Sequence, residues 1–91
     1  MTKRCILEGA KLADLDAVYD ALAAQLGFPA HFGRNLDALW DVLTTDIPGP
    51  IEIEWRDTTV ARRMLGPYFD RLACLFDDLG AARRDIRITR S

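Results

Sequence analysis

The stretch His31-Phe32-Gly33-Arg34-Asn35-Leu36-Asp37-Ala38-Leu39-Trp40-Asp41-Val42-Leu43-Thr44 decides how this chain is read, because it has the periodicity of a helix with two unlike faces. At about 100° per residue, Leu36, Leu39, Trp40 and Leu43 share one arc, the i, i+3, i+4, i+7 pattern of a helix lying on a core. Asp37, Asp41, Thr44 and Thr45 share a second arc of similar width, with Trp40 at its border. The expected helix runs from Gly33 to Thr44, with Asn35 or Gly33 near its N-cap and acids in its first turns, where the helix dipole favours negative charge. Such a pair of acids is by itself ordinary. Less ordinary is a large aromatic beside both of them, after a loop of His31, Phe32 and Gly33, with no lysine to pair them.

Working outward, Pro48-Gly49-Pro50 is a strong turn signal, and Ile51-Glu52-Ile53-Glu54-Trp55 then alternates with period two. One face of that strand is buried and the other wet. Upstream, residues 4–8 form a short apolar and β-branched run that Gly9 ends, a first strand. Asp14 is the expected N-cap of a helix carrying Leu15, Val18, Tyr19, Leu22 and Leu26 on one face, stopped by Gly27 and Pro29. Downstream, a short helix over 58–65 ends at the Gly66-Pro67 break. A longer one runs to about Leu79 with Leu72, Leu75, Phe76 and Leu79 inward and Gly80 as its cap. Asp85 to Thr89, with Ile86 and Ile88 alternating, is the last strand. Strands joined by helical crossovers are expected to be parallel and right-handed. A sheet covered on both faces would read as continuous apolar runs, so the alternation predicts an α/β fold of two layers.

The same residues carry a resemblance. Gly33 to Thr44, then Pro48 and Pro50, then Glu54-Trp55-Arg56, resemble the signature of the barstar family, small intracellular inhibitors of barnase-type ribonucleases, in the same order and spacing. The resemblance extends more weakly over the whole chain. It implies a barstar-like fold, a three-stranded parallel sheet covered by about four helices on one side, in a single domain over residues 1–91.

Composition fits that size and narrows the function. Ninety-one residues make one small domain, near the size at which a single core suffices without staples. Cys5-Ile6-Leu7 is too short for the apolar core of a signal peptide, and no apolar run approaches membrane-spanning length, so the expected location is the cytoplasm. Cys5 and Cys74 are expected to be buried free thiols rather than a disulfide. The formal net charge is −2, but residues 31–55 hold one base and five acids, whereas residues 56–91 hold eight bases and five acids. The segment with the two-faced helix is thus the negative pole, and such a field speeds encounter with a basic partner. The eight arginines of the last third form no stripe with aromatics between them, which argues against direct nucleic-acid binding. Most of them read as solvated helix and strand ends.

No catalytic reading gains support. His31 is the only histidine, and its spacing to Asp37 and Asp41 matches no metal-ligand pattern; no nucleophile elbow or phosphate loop appears. The glycines are isolated and read as turns, so no catalytic residue, metal or cofactor is expected. Binding accounts for more of the pattern. Ribonucleases hold RNA phosphate with arginine, lysine and histidine donors, which a carboxylate can satisfy in the same geometry. The resemblance implies that Asp41, directly after the helix tryptophan, enters the phosphate site of the enzyme, with Asp37 meeting a second basic side chain one turn away. His31 takes the place of a stacking aromatic. Gly33 permits close backbone approach or simply a tight helix entry, and Asn35 is either an N-cap or a contact. Trp40 presents its edge or is buried beneath the helix, Thr44 can donate from the arc of Asp41, and Asp78 on the fourth helix matches an outlying family acid. The implied partner is a small basic ribonuclease of the extracellular type, bound one-to-one by a monomer. A barstar-like interaction module with a different partner is the alternative. Several positions depart from the family pattern: Arg34 stands where an acid is usual, facing a basic enzyme or pairing with Asp37 or Asp41. Asp46 replaces an aromatic, Ala82 an acid, and His31-Phe32 a pair of tyrosines.

Overall fold

The computed structural model describes residues 2–91. Alternation along β2 (Ile51–Arg56) sets its layering: Ile51, Ile53 and Trp55 are buried while Glu52, Glu54 and Arg56 face outward. This strand is central in a three-stranded sheet, parallel both to β1 (Lys3–Glu8) and to β3 (Ile86–Arg90), with Cys5 and Ile88 registered on either side of Ile53. On the outward face, Arg56 pairs with Glu54 at 3.0 Å and Glu8 at 3.1 Å, and Arg4 reaches Glu54 at 3.4 Å. Cross-strand ion pairs let this face stand in water without a second layer of helices.

Four helices cover the other face. Asp14 caps α1 (Leu15–Leu26) by accepting from the Ala17 amide at 2.8 Å, and Gly27, at φ 73°, ends it. After α2 (Leu36–Asp41) come α3 (Thr58–Leu65) and α4 (Pro67–Ala82), separated by Gly66. Gly80 does not cap α4 as expected; the helix continues through Ala81 and Ala82, and the Arg83 amide donates to the Leu79 carbonyl at 2.9 Å. A single exposed glycine weakens a helix by about 1 kcal/mol without stopping it, and two alanines follow. Trp55 is fully buried against α4, with ring centroids 4.9 Å from Phe69 and 5.5 Å from Phe76. Leu7, Leu22, Leu39, Leu43, Leu72 and Leu79 complete one core shared by strands and helices.

Gln25 satisfies the free edge of β1 at Ile6, its amide accepting from the Ile6 N–H at 2.8 Å and donating to the Ile6 carbonyl at 2.9 Å. Cys5 is buried in β1, where burial pushes its thiol up to about 12. Cys74, expected to be buried, is exposed: it falls off the stripe formed by Leu72, Ala73, Leu75 and Phe76. Among the described residues no helix is long and apolar enough to cross a membrane.

Candidate functional site

Asn35 begins α2, its side chain accepting from the Ala38 amide at 2.7 Å. The helix therefore starts at Leu36, and His31, Gly33 and Arg34 belong to the loop before it. Leu39 is buried, Leu36 and Trp40 are half-buried against the core, and Asp37 and Asp41 are exposed one turn apart. Two carboxylates at i, i+4 repel each other by a few tenths of a kcal/mol. An N-cap and a dipole-favoured position for Asp37 offset that cost.

The expected single α-helix to Thr44 is interrupted. From Val42 to Asp46 the chain forms a π-helical turn, in which the Ile47 amide reaches back five residues to the Val42 carbonyl at 3.2 Å. The cause lies in two adjacent threonines. Thr44 donates to the Trp40 carbonyl at 2.7 Å, and Thr45 donates to the Asp41 carbonyl. Side chains that bond back to the preceding turn compete with the backbone ladder and open it. The Thr44 hydroxyl hydrogen is thereby committed, so this residue offers a partner an acceptor rather than the expected donor.

Arg83 secures the far end of this turn. Its guanidinium donates to the Leu43 carbonyl at 2.8 Å and the Ile47 carbonyl at 2.7 Å, and it grips Asp85 at 3.0 and 2.7 Å. That guanidinium holds the Asp85 carboxyl below its ordinary value. Arg83 is thus an exception to the reading of most late arginines as solvated ends, whereas Arg56, Arg62 and Arg90 hold ion pairs that still face solvent. Long side chains placed by non-local geometry leave no periodic signal in a sequence.

Arg34 secures the near end. Its backbone is left-handed at φ 53°, and its side chain runs back to α1, pairing with Asp20 at 2.9 Å and Asp16 at 3.4 Å and donating to the Asp16 carbonyl at 3.2 Å. The hydrogen bond to Asp20 raises the guanidinium further above its ordinary value. The pairing with Asp37 or Asp41, one of the two alternatives for Arg34, is not formed, because Asp16 and Asp20, one turn apart on α1, receive it instead. Gly33 is not at positive φ; a Cβ there would lie 3.2 Å from the Ala38 Cβ, a tight helix entry. Phe32 turns inward, edge-on to Tyr19 at 5.5 Å and Phe28 at 5.0 Å, leaving His31 exposed beside it.

Asp37, Trp40 and Asp78 line one cleft of about 490 Å³ between α2 and α4, with Leu36, Asp70 and Arg71. Through Leu36, Asp37 and Arg71 it adjoins a larger groove of about 780 Å³ that reaches Asn35 and Arg34 and is flanked by Met64 and Tyr68. The smaller cleft carries three carboxylates against one guanidinium, so it presents negative charge beside a half-buried indole. Asp41 and Thr44 lie outside both concavities, at and beyond the end of α2, and His31 and Gly33 lie before it. Among the described residues no cluster of His, Cys, Asp and Glu could hold a metal ion.

The family model described as Barstar (barnase inhibitor) matches residues 2–89. A protein of Bacillus subtilis (strain 168) named "Putative ribonuclease inhibitor YrdF" is 34% identical over 68 residues, 75% of this chain and 75% of that protein. With the family match running from β1 through β3, over the parallel sheet and the acidic helix alike, the chain belongs to the barstar family.

Proposed function

We propose that this protein inhibits a small basic ribonuclease of the barnase type, binding it one-to-one and closing its active site with the exposed face of α2 and the loop before it. Family membership makes it an inhibitor rather than an enzyme, and the name of the Bacillus relative agrees. The observation that carries the reading is a pair of exposed carboxylates, Asp37 and Asp41, one turn apart on a short helix secured at both ends. Asp41 takes the place of an RNA phosphate among arginine, lysine and histidine donors of the enzyme, and Asp37 meets a second cation. Trp40 presents the exposed part of its indole, and His31 stacks or donates at the groove edge. Gly33 leaves room for the enzyme, and Asn35 contributes by fixing the helix start. Thr44 accepts, and Asp78 adds charge across the cleft.

No chemical step is needed. Occlusion and charge mimicry suffice, and the exposed carboxylates Asp37, Asp41 and Asp78 steer a basic enzyme onto this face. The inhibitor works as a cytoplasmic monomer, without touching RNA. Titration of the protein into RNA-cleavage assays with a panel of barnase-type ribonucleases tests the reading: stoichiometric loss of activity of at least one enzyme is expected. Full activity of every enzyme would favour an interaction module with another partner.

A further inference from the structure

We infer that Arg34 is a positioning residue for partner recognition, a latch that fixes the loop 31–35 to α1 and so presents the start of the binding surface already ordered; this rests on the function proposed above. The backbone at Arg34 is in a region that residues with a Cβ rarely adopt, and such conformations persist only where the surroundings hold them. What holds this one is the side chain. It engages both carboxylates of one α1 face and the Asp16 carbonyl, and lies 5.9 Å from the Tyr19 ring centroid. An exposed ion pair alone is weak. Here a planar fork with several donors meets three oxygens and a ring on the same helix, a geometry a lysine does not reproduce.

The arrangement also serves α1, because Asp16 and Asp20 at i, i+4 would otherwise repel each other. It commits the positive charge of Arg34 to α1, although the residue adjoins an acidic surface meant for a basic partner. Packing assists: Phe32, two residues earlier, is edge-on to the same Tyr19 ring, and the Phe32 amide donates to the Pro29 carbonyl at 3.1 Å. A loop ordered in the free protein spares association the entropy of ordering it, which slows dissociation and leaves the chemistry of Asp37 and Asp41 unchanged.

Two disruptions that reach the latch from opposite sides test it. Arg34→Asn keeps a residue that tolerates positive φ but removes the guanidinium; Asp16→Ala with Asp20→Ala removes both carboxylate partners and leaves Arg34 in place. Amide exchange in the free protein is read at Phe32 and Ala38, with Ile53 of β2 as the core control, and dissociation is read from the panel ribonuclease that the natural chain inhibits best. Each disruption is expected to speed exchange at Phe32 by about tenfold, leaving Ile53 unchanged, and to speed dissociation by about three- to tenfold. The combined variant should add less than about twofold, as members of one network do. Unchanged exchange at Phe32, unchanged dissociation, or fully multiplicative effects would each overturn the inference. If the natural chain inhibits no enzyme of the panel, the functional reading fails, and exchange at Phe32 still decides the latch.

Discussion

Replacing Arg83 by alanine tests whether one side chain holds the π-helical turn that ends α2. Arg83 is only 18% exposed and donates to two carbonyls, of Leu43 at 2.8 Å and Ile47 at 2.7 Å, on the π-helical turn. A hydrogen bond from a charged donor contributes about 1.5–3 kcal/mol, and water reaching the freed carbonyls returns part of it. We therefore predict a loss of about 2–3 kcal/mol for the two bonds. The contact with exposed Asp85 is left out of that figure as solvent-screened. In a domain of this size such a loss lowers Tm by roughly 8–24 °C. Urea unfolding followed by tryptophan fluorescence, in which fully buried Trp55 is a sensitive probe, measures it with an unchanged m-value. Arg83→Lys should recover less than half, because an ammonium cannot span both carbonyls and the carboxylate. Asp85→Asn, which leaves both carbonyl bonds in place, should cost much less. A loss below about 0.5 kcal/mol for Arg83→Ala would refute the reasoning, since that is the range of surface substitutions touching nothing.

Three further outcomes are expected. Asn35→Ala removes the cap on the Ala38 amide and should cost about 1 kcal/mol in the same unfolding assay. A bulky maleimide should label exposed Cys74, which lines the cleft with Asp37, Trp40 and Asp78, and should reduce ribonuclease inhibition; Cys5, buried and with its thiol raised to about 12, should stay unlabelled by mass spectrometry. The Asp85 carboxyl is lower in the folded state than its ordinary value of 3.8, so its contribution is present above that value and lost as pH falls through the lowered one. Acid unfolding below about pH 4 should accordingly cost the natural chain more stability than it costs Asp85→Asn.

The fold was legible because each element announces itself locally. Period-two alternation in Ile51 to Trp55 marked a strand with a single buried face, Asp14 and Gly27 marked both ends of α1, and the Gly66-Pro67 break separated α3 from α4. Gly80 misled, because a glycine marks a stop only where the backbone turns left-handed, and here the helix simply continues. The acidic face of α2 was legible from its 3.6-residue period. The π-helical turn was signalled only by the Thr44-Thr45 pair, whose hydroxyls seek the preceding carbonyls. Arg34 and Arg83 could not be placed from periodicity at all: the partners of Arg34 lie 14 and 18 residues away, and two of the acceptors of Arg83 lie 36 and 40 residues away. Three-dimensional structure alone brings them together.

The most direct test of the central claim compares the natural chain with Asp41→Ala by equilibrium competition against the ribonuclease it inhibits. Asp41 is exposed, so the substitution leaves the fold intact, which urea unfolding confirms independently. A carboxylate seated among basic groups of an enzyme predicts a rise in Kd of more than about 30-fold, about 2 kcal/mol. An unchanged Kd for a fully folded Asp41→Ala protein would contradict the account.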